Sequence, residues 1–407
     1  MHSPEFSFVL PTRHRPQFVA QALETFRQQH DGECELIVCD NWTDPSLSAE
    51  AVVHEAALER VHYVRPPEPL SMVDNWQYAI GHARGTYVGM LTDKIFLIPG
   101  AVARIRAGLQ HAGEPEMLCW TTDFHRSRAF PDYFGAGVYT MVQAHEPGDG
   151  LTTPFAPAAV LDERGRAAFT RGEQSRSLYC RGKISFGVYH RDLLQRLERR
   201  FGAIFRDISP DYTSMVLGLA EARSGADLAS SAVVSIVTDL SNGQHTSTND
   251  RSALAYLQSL ASGTVDELMA DMLIPGVYAS QANTVARDYR HMMRLFGLGF
   301  AFDPVHWAVH TLEDLVTPAR TWSTPAARDE QMQRVYQWIA TLPAAEQQRL
   351  FAVFEARATQ RAQGPITQQR PGEQLEWATP SLADALRRRA AWSAGAATAP
   401  CLTATAR

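Results

Sequence analysis

The sequence has few cysteines and no apolar stretch long enough to span a membrane. Its 407 residues include five cysteines, which are scattered along the chain and odd in number. None of them has the short spacing of metal-binding cysteines, so free thiols in a reducing compartment are expected. No apolar run is long enough to cross a bilayer, and the N-terminus lacks the layout of a signal peptide. We therefore expect a cytoplasmic protein with no transmembrane segment.

An excess of positive charge is also missing. Lysine and arginine total 38 against 44 aspartates and glutamates, which gives a formal net charge of −6 at pH 7. A chain with this balance has no overall field that attracts nucleic acid or an anionic membrane. We therefore expect no nucleic-acid partner. The chain does have the material for a large core, because 45% of its residues are hydrophobic.

Strand and helix patterns alternate along the first part of the chain. An apolar run, Tyr87–Leu91, leads directly into Thr92-Asp93-Lys94 and predicts a buried central strand. Strand-like segments at 6–10, 35–39 and 62–64 precede it, separated by helical segments at 18–26, 47–59 and 71–83. This alternation with short connections predicts an α/β fold with a mostly parallel sheet flanked by helices. The carboxyl ends of such strands meet at one edge, where open α/β sheets bind ligands.

The rest of the chain divides into parts with different patterns. Residues 122–181 are rich in proline and glycine, which predicts an irregular loop or lid. Strand and helix signals then resume, so residues 1–250 form one predicted domain. Residues 251–395 show helical periodicity and predict a C-terminal α-helical domain, through which the chain could form a homo-oligomer. The tail, 396–407, is predicted to be flexible.

Charged side chains follow three of the predicted strands at the ligand-binding edge. Arg13 and Arg15, after the first strand, can give planar donors to phosphate oxygens, or they are solvated loop arginines. Asp40 ends the second strand and can accept a hydrogen bond from a base or a ribose hydroxyl, or it caps the turn that follows. Asp93 and Lys94 end the central strand with one carboxylate and one ammonium group.

Four motifs in order carry a resemblance to a known family. They are Pro11-Thr12-Arg13 after the first strand, Asp40-Asn41 after the second, Asn75 on a helix followed by Ala83-Arg84-Gly85-Thr86-Tyr87, and Leu91-Thr92-Asp93-Lys94 before Pro99-Gly100. Together they resemble the inverting glycosyltransferases of family two, which have the GT-A nucleotide-sugar fold. The resemblance covers about residues 5–110 well and 184–245 loosely, and it does not reach the helical end.

The resemblance implies an enzyme that transfers a sugar from a nucleotide-diphosphate sugar with inversion. Uridine or thymidine is the expected nucleoside, and the acceptor, whether a glycan, a lipid or a small molecule, stays undefined. Segment 122–181 is then the expected acceptor loop. The residues that the resemblance assigns to nucleotide-sugar binding are Pro11, Thr12, Arg13, Arg15, Asp40, Asn75, Thr92, Asp93 and Lys94. A non-catalytic nucleotide-sugar-binding or scaffold protein on the same fold is the alternative.

The acidic motif of the central strand departs from the family pattern. Family members place two or three acidic residues there, one of which coordinates a divalent cation on the diphosphate, whereas this chain has Asp93-Lys94-Ile95. Three interpretations stay open. Asp93 holds Mn²⁺ or Mg²⁺ together with another ligand such as His245 or Asp239, or Lys94 neutralises phosphate directly, or catalysis has been lost.

Asp211 is the general base that the resemblance implies. An inverting transfer needs one group that takes the proton of the acceptor hydroxyl. Asp211 follows Ser209-Pro210 at the start of a predicted helix, late in the predicted catalytic domain, where the family keeps its base. An aspartate in the first turn of a helix also suits the helix dipole without any catalytic role. Asp207 is the reserve candidate.

Overall fold

The computed structural model describes residues 3–128, 131–142, 151–166, 176–238, 248–260, 265–363 and 374–393. Thirteen strands lie within these ranges. They are β1 (Phe6–Thr12), β2 (Cys34–Asp40), β3 (Val61–Val64), β4 (Tyr87–Met90), β5 (Ile95–Leu97), β6 (Met117–Cys119), β7 (Thr122–Ser127), β8 (Gly137–Val142), β9 (Thr152–Phe155), β10 (Gly187–His190), β11 (Gly225–Leu228), β12 (Val233–Ile236) and β13 (Gln374–Thr379).

The same ranges contain 15 α-helices. They are α1 (Pro16–Arg27), α2 (Glu50–Ala56), α3 (Met72–Ile80), α4 (Ala101–His111), α5 (Pro157–Arg166), α6 (Arg176–Cys180), α7 (Arg191–Phe201), α8 (Pro210–Glu221), α9 (Asp250–Leu260), α10 (Val265–Ala270), α11 (Gln281–Phe296), α12 (Pro304–Val316), α13 (Pro325–Thr341), α14 (Ala344–Gln363) and α15 (Leu382–Ser393). Among these described helices, none combines the length and the apolar character that crossing a bilayer requires.

Eight strands form the central sheet in the order β3-β2-β1-β4-β10-β6-β11-β9. The first four of these run parallel, β10 is antiparallel to both of its neighbours, and β9 is an antiparallel edge strand. Every residue of β1 and β2 is buried, as expected for parallel strands covered on both faces. The predicted α/β fold with a mostly parallel central sheet is therefore confirmed.

The central strand ends earlier than the sequence predicts. β4 stops at Met90, and the chain turns so that the Ile95 N–H donates to the Thr92 carbonyl at 2.9 Å. β5 then joins a second sheet, whose strand order is β13-β8-β7-β12-β5. The apolar segments before and after Thr92-Asp93-Lys94 therefore belong to two different sheets. The polar residues Thr92-Asp93-Lys94 form the break between the two apolar segments.

Segment 122–181 is more regular than its composition predicts. Its described residues form β7, β8, β9, α5 and α6. Inside the second sheet, the Asp123 carboxylate accepts hydrogen bonds from the Tyr139 hydroxyl and the Val142 N–H, both at 2.9 Å. Pro154 lies in β9 at the edge of the central sheet, where a missing N–H is tolerated. In the described part of this segment, proline and glycine therefore mark strand edges and turns rather than one long irregular loop.

The C-terminal helical region shares its core with the rest of the chain. One apolar cluster contains Val9 of β1, Met215 of α8, Tyr289 of α11 and Leu350 of α14. The region is also not purely helical, because 374–379 form β13, which pairs antiparallel with β8. These contacts tie the helices to the two sheets instead of leaving them as a separate core. The predicted tail, 396–407, lies outside the described residues.

A buried carboxylate links two helices of this region. Glu313 of α12 lies 2.7 Å from Arg357 and from Arg361 of α14 and 2.9 Å from His310. Burial alone would raise the pKa of Glu313, but hydrogen bonds from His310 and Arg357 outweigh burial and lower the pKa to about 2. Because this pKa lies below the unfolded value of 4.5, the interaction stabilises the fold above pH 4.5. That stabilisation is lost as the pH falls toward 2.

We expect Glu313→Gln to lower the free energy of unfolding at pH 7 by about 2–4 kcal/mol, because two arginines lose a buried partner. Urea unfolding measures this, and the loss should be smaller at pH 3.5 than at pH 7. Glu330→Gln is the matched control, since Glu330 pairs with Arg334 on an exposed helix surface and should change stability little. Equal effects of the two substitutions would contradict this assignment.

Candidate functional site

The carboxyl ends of β1 and β4 open into a cavity of about 1990 Å³. Its walls come from the loop after β1, the turn after β4, the second sheet, the start of α8, and the helices α9 and α11. The sequence-predicted site residues that line it are Pro11, Thr12, Arg13, Arg15, Asn75, Thr92, Asp93, Lys94 and Asp211. Nearly all of the predicted residues are therefore brought together at one edge of the sheet.

Arg15 and Asp93 form an ion pair in this cavity. Nη1 of Arg15 donates to both carboxylate oxygens of Asp93 at 2.9 Å, and the two side chains are 23% and 13% exposed. The pair forms because β1 and β4 are parallel neighbours. The next residue, Lys94, is held by its backbone, whose carbonyl accepts from the Ile236 N–H of β12 at 2.8 Å. The carboxylate of the acidic motif is therefore neutralised by a guanidinium group within the chain.

Arg13 shapes the cavity wall through backbone carbonyl groups. Its Nε donates to the Asn41 carbonyl at 3.0 Å, and its Nη2 donates to the Leu70 carbonyl. The Asn41 side chain also donates to the Leu70 carbonyl and accepts from the Leu70 N–H, both at 2.9 Å. These bonds hold the loop before α3 against the ends of β1 and β2.

Thr12 and Asn75 lie on the same wall. Oγ1 of Thr12 is buried and has no hydrogen-bond partner in the described structure. Asn75 of α3 is buried, and its Oδ1 accepts from the Cys39 thiol at 3.3 Å. Asn75 is therefore not the surface amide that the helix alone would allow, because α3 turns this side toward the strand ends.

Asp40 is fully buried and is not among the residues that line the cavity. Its Oδ2 accepts from the Ala49 N–H at 2.6 Å and from the hydroxyls of Ser48 and Tyr63 at 3.3 Å. Burial raises the pKa of Asp40 despite these hydrogen bonds. Oδ1 has no partner in the described structure. Asp40 thus holds the start of α2, and its contact with a nucleotide stays a prediction.

The described residues do not present a ligand set for a divalent cation. Within these ranges, no group of three His, Cys, Asp or Glu side chains is arranged to hold a metal ion. Asp93 is engaged by Arg15, and a lysine occupies the next position. The other metal ligands that the sequence suggested, His245 and Asp239, lie outside the described residues.

Asp211 lies in the first turn of α8, which begins at Pro210 as the sequence predicts. Its Oδ2 accepts from the ammonium group of Lys183 at 3.2 Å, and its side chain is 33% exposed. The reserve candidate Asp207 instead pairs with Arg287 at 2.9 Å and is not among the cavity-lining residues. Of these two carboxylates, Asp211 is the one that the cavity can reach.

Lys183 is a site residue that the sequence motifs did not reveal. Its Nζ lies 4.0 Å from the ring centre of Tyr179 and 3.7 Å from that of Tyr212. Burial opposes its charge, but the two phenol groups and Asp211 outweigh burial and raise the pKa of Lys183. One signal was present in the composition. Only two of the 38 lysine and arginine residues are lysines: Lys94 lines this cavity, and Lys183 pairs with Asp211, which lines it.

The remaining walls come from distant parts of the chain. Arg126 of β7 and Glu376 of β13 lie on the second sheet, while Tyr256 of α9 and Tyr278 come from the helical region. No short motif connects these residues with the strand ends. The C-terminal region therefore completes the cavity, which only the tertiary structure shows.

The fold and the site together define a class of protein. Strand ends that gather guanidinium, ammonium and carboxylate groups around one cavity suit a phosphorylated ligand. Residues 7–113, from β1 to α4, match the model of the family described as "Glycosyl transferase family 2". Residues 7–113 are therefore similar to family 2 glycosyl transferases, and the chain has a GT-A, glycosyltransferase 2-like fold. No curated protein matches the chain at a significant level.

Solved structures with distant similarity to this chain include TarS and a mannosyltransferase. S. aureus TarS 1–349, also solved in complex with UDP-GlcNAc, shares 13% identity, with 88% of this chain and 92% of that chain covered and a TM-score of 0.44. The mannosyltransferase PcManGT from Pyrobaculum calidifontis, in complex with GDP-Man and Mn²⁺, shares 13% identity. In that comparison 89% of this chain and 87% of the other are covered, with a TM-score of 0.38. At this level of similarity the likeness does not extend to donor, acceptor or metal.

We expect Arg15 and Asp93 to be energetically coupled, because their ion pair is largely shielded from water. A double-mutant cycle with Arg15→Gln and Asp93→Asn should give a coupling of about 1 kcal/mol in the free energy of unfolding. The exposed pair of Arg27 and Glu24 is the control and should couple less. A coupling no larger than that of the control would show that the pair is not maintained in solution.

Proposed function

We propose that this protein transfers a sugar from a UDP- or dTDP-sugar to a hydroxyl acceptor with inversion, and that Asp211 is the general base. The observation that most supports the proposal is the distribution of charge in one cavity. Arg13, Arg15 and Lys94 line one part, at the strand ends, and the Asp211 carboxylate lines another, at the start of α8. A family 2 match over the first part of the chain supports the reaction class.

The cations at the strand ends suit a nucleoside diphosphate. Guanidinium groups bind phosphate oxygens through planar donors, and an ammonium group binds them as a point charge. The leaving diphosphate gains negative charge as the sugar departs, so fixed cations stabilise it more in the transition state than in the ground state. Because the described residues do not fit a divalent cation, we propose that Lys94 and the two arginines neutralise the diphosphate themselves.

Asp211 would act on the acceptor. It takes the proton of the acceptor hydroxyl while that oxygen forms a bond to the anomeric carbon. The bond from the anomeric carbon to the diphosphate oxygen breaks, and its electron pair leaves with the diphosphate. Attack from the face opposite the leaving group inverts the configuration. The protonated Asp211 then releases its proton to water, for which its partial exposure provides access.

We expect Asp211→Asn to reduce turnover at least 100-fold while the Kd for UDP changes less than about twofold, because Asp211 acts on the acceptor rather than on the donor. UDP-glucose and dTDP-glucose, with water as acceptor, are the substrates, and release of the nucleoside diphosphate is the measurement. Asp207→Asn is the matched control and should keep turnover in the folded protein. Full turnover in Asp211→Asn would show that Asp211 is not the general base. Binding without turnover in the wild type would favour the non-catalytic alternative.

We expect EDTA to leave the affinity for UDP unchanged and Lys94→Ala to weaken it at least tenfold, because the ammonium group would carry the charge of a cation. Isothermal titration calorimetry measures both, and Lys94→Arg should retain most of the affinity. An affinity that EDTA abolishes and Mn²⁺ restores would contradict a metal-independent site.

A further inference from the structure

Lys183 is a buried cation with an unusual environment. Its side chain is fully buried, and it is not among the residues that line the cavity. The charged and titratable groups that surround it are Asp211 and Tyr212 of α8, Tyr179 of α6, Arg164 of α5 and Tyr289 of α11. Asp211 is the carboxylate among them. Lys183 therefore contacts the proposed base without lining the cavity itself.

Burying an ammonium group is unfavourable unless other groups stabilise it. Here the faces of Tyr179 and Tyr212 lie 4.0 and 3.7 Å from Nζ and provide cation–π contacts on two sides. These contacts do not depend on the charge of Asp211. The ammonium group can therefore stay in place while Asp211 gains and loses a proton.

The pairing leaves the two oxygens of Asp211 in different positions. Oδ2 accepts from Nζ of Lys183 at 3.2 Å, and the exposed part of the side chain faces the cavity. An isolated carboxylate on the first turn of a helix could rotate, but one with an oxygen held by a rigid partner cannot rotate freely. A base displaced by about 1 Å can lose on the order of 100-fold in rate.

We propose that Lys183 is a positioning residue that holds Oδ2 of Asp211 and thereby presents the other carboxylate oxygen to the acceptor hydroxyl. This inference rests on the proposed function of Asp211. Because Lys183 does not line the cavity, we expect it to affect the rate of transfer and not the binding of the donor.

The kinetic test uses Lys183→Met, which keeps the length of the side chain and removes its charge. We expect kcat for UDP-glucose to fall about 10- to 100-fold, with KM and the Kd for UDP within twofold. Lys183→Arg restores a positive charge and should recover part of kcat. A wild-type kcat in folded Lys183→Met, or equal losses in kcat and in UDP affinity, would overturn the proposal.

A second measurement, by nuclear magnetic resonance, does not require the protein to be enzymatically active. Because the chain contains two lysines, protein labelled with [ε-¹⁵N]lysine should give two side-chain ammonium signals. We expect Asp211→Asn to move the Lys183 signal and leave the Lys94 signal, whereas UDP should move the Lys94 signal and leave that of Lys183. A Lys183 signal that Asp211→Asn does not move would overturn the proposal.

The control for lost buried charge is Arg357→Met, since Arg357 pairs with buried Glu313 and neither residue lines the cavity. It should lower stability and leave kcat unchanged. An equal loss of kcat in Arg357→Met and Lys183→Met would mean that Lys183 is only structural. Full turnover in Asp211→Asn would instead show that Asp211 is not the general base. That result would contradict the proposed function, whereas the outcomes above would contradict only the inference about Lys183.

Discussion

The parallel pairing of β1 with β2 and β4 is the constraint on which the site depends. All of β1 is buried, and its register pairs Thr12 with Asp40 on one side and Val9 with Met90 on the other. Side chains that are far apart in sequence therefore meet where these strands end. The ion pair between Arg15 and Asp93 spans the ends of β1 and β4, so it reports directly on this pairing.

The charged side chains are arranged differently in the two parts of the cavity. At the strand ends, Arg13, Arg15 and Lys94 line the cavity together with Asp93, which pairs with Arg15, and this excess of cations favours a ligand that brings its own negative charge. At the start of α8, one partly exposed carboxylate pairs with one buried ammonium group, which in turn contacts two aromatic rings. The first arrangement suits binding and charge stabilisation, and the second suits a proton acceptor in a fixed orientation.

Local sequence patterns correctly predicted the features of the structure that depend on a single helix or strand. α3 lies within the predicted helical segment 71–83, and α8 begins at Pro210 as predicted, since both features depend on neighbouring residues alone. Prediction was weaker where two elements compete for the same residues. β4 was expected to be longer, and segment 122–181 was expected to be irregular, because partner strands in another sheet decide both outcomes.

The sequence by itself determined the α/β alternation, the strand ends that carry Arg13, Arg15 and Asp93, and the helix start that carries Asp211, because apolar periodicity and helix caps are local. Only the tertiary structure decided that Arg15 neutralises Asp93, that Asp40 turns inward to hold α2, and that Lys183 pairs with Asp211. It also brought Glu376 of the C-terminal strand to the same cavity. These outcomes depend on which surfaces pack together. Packing brings together residues that are far apart in the sequence and share no motif.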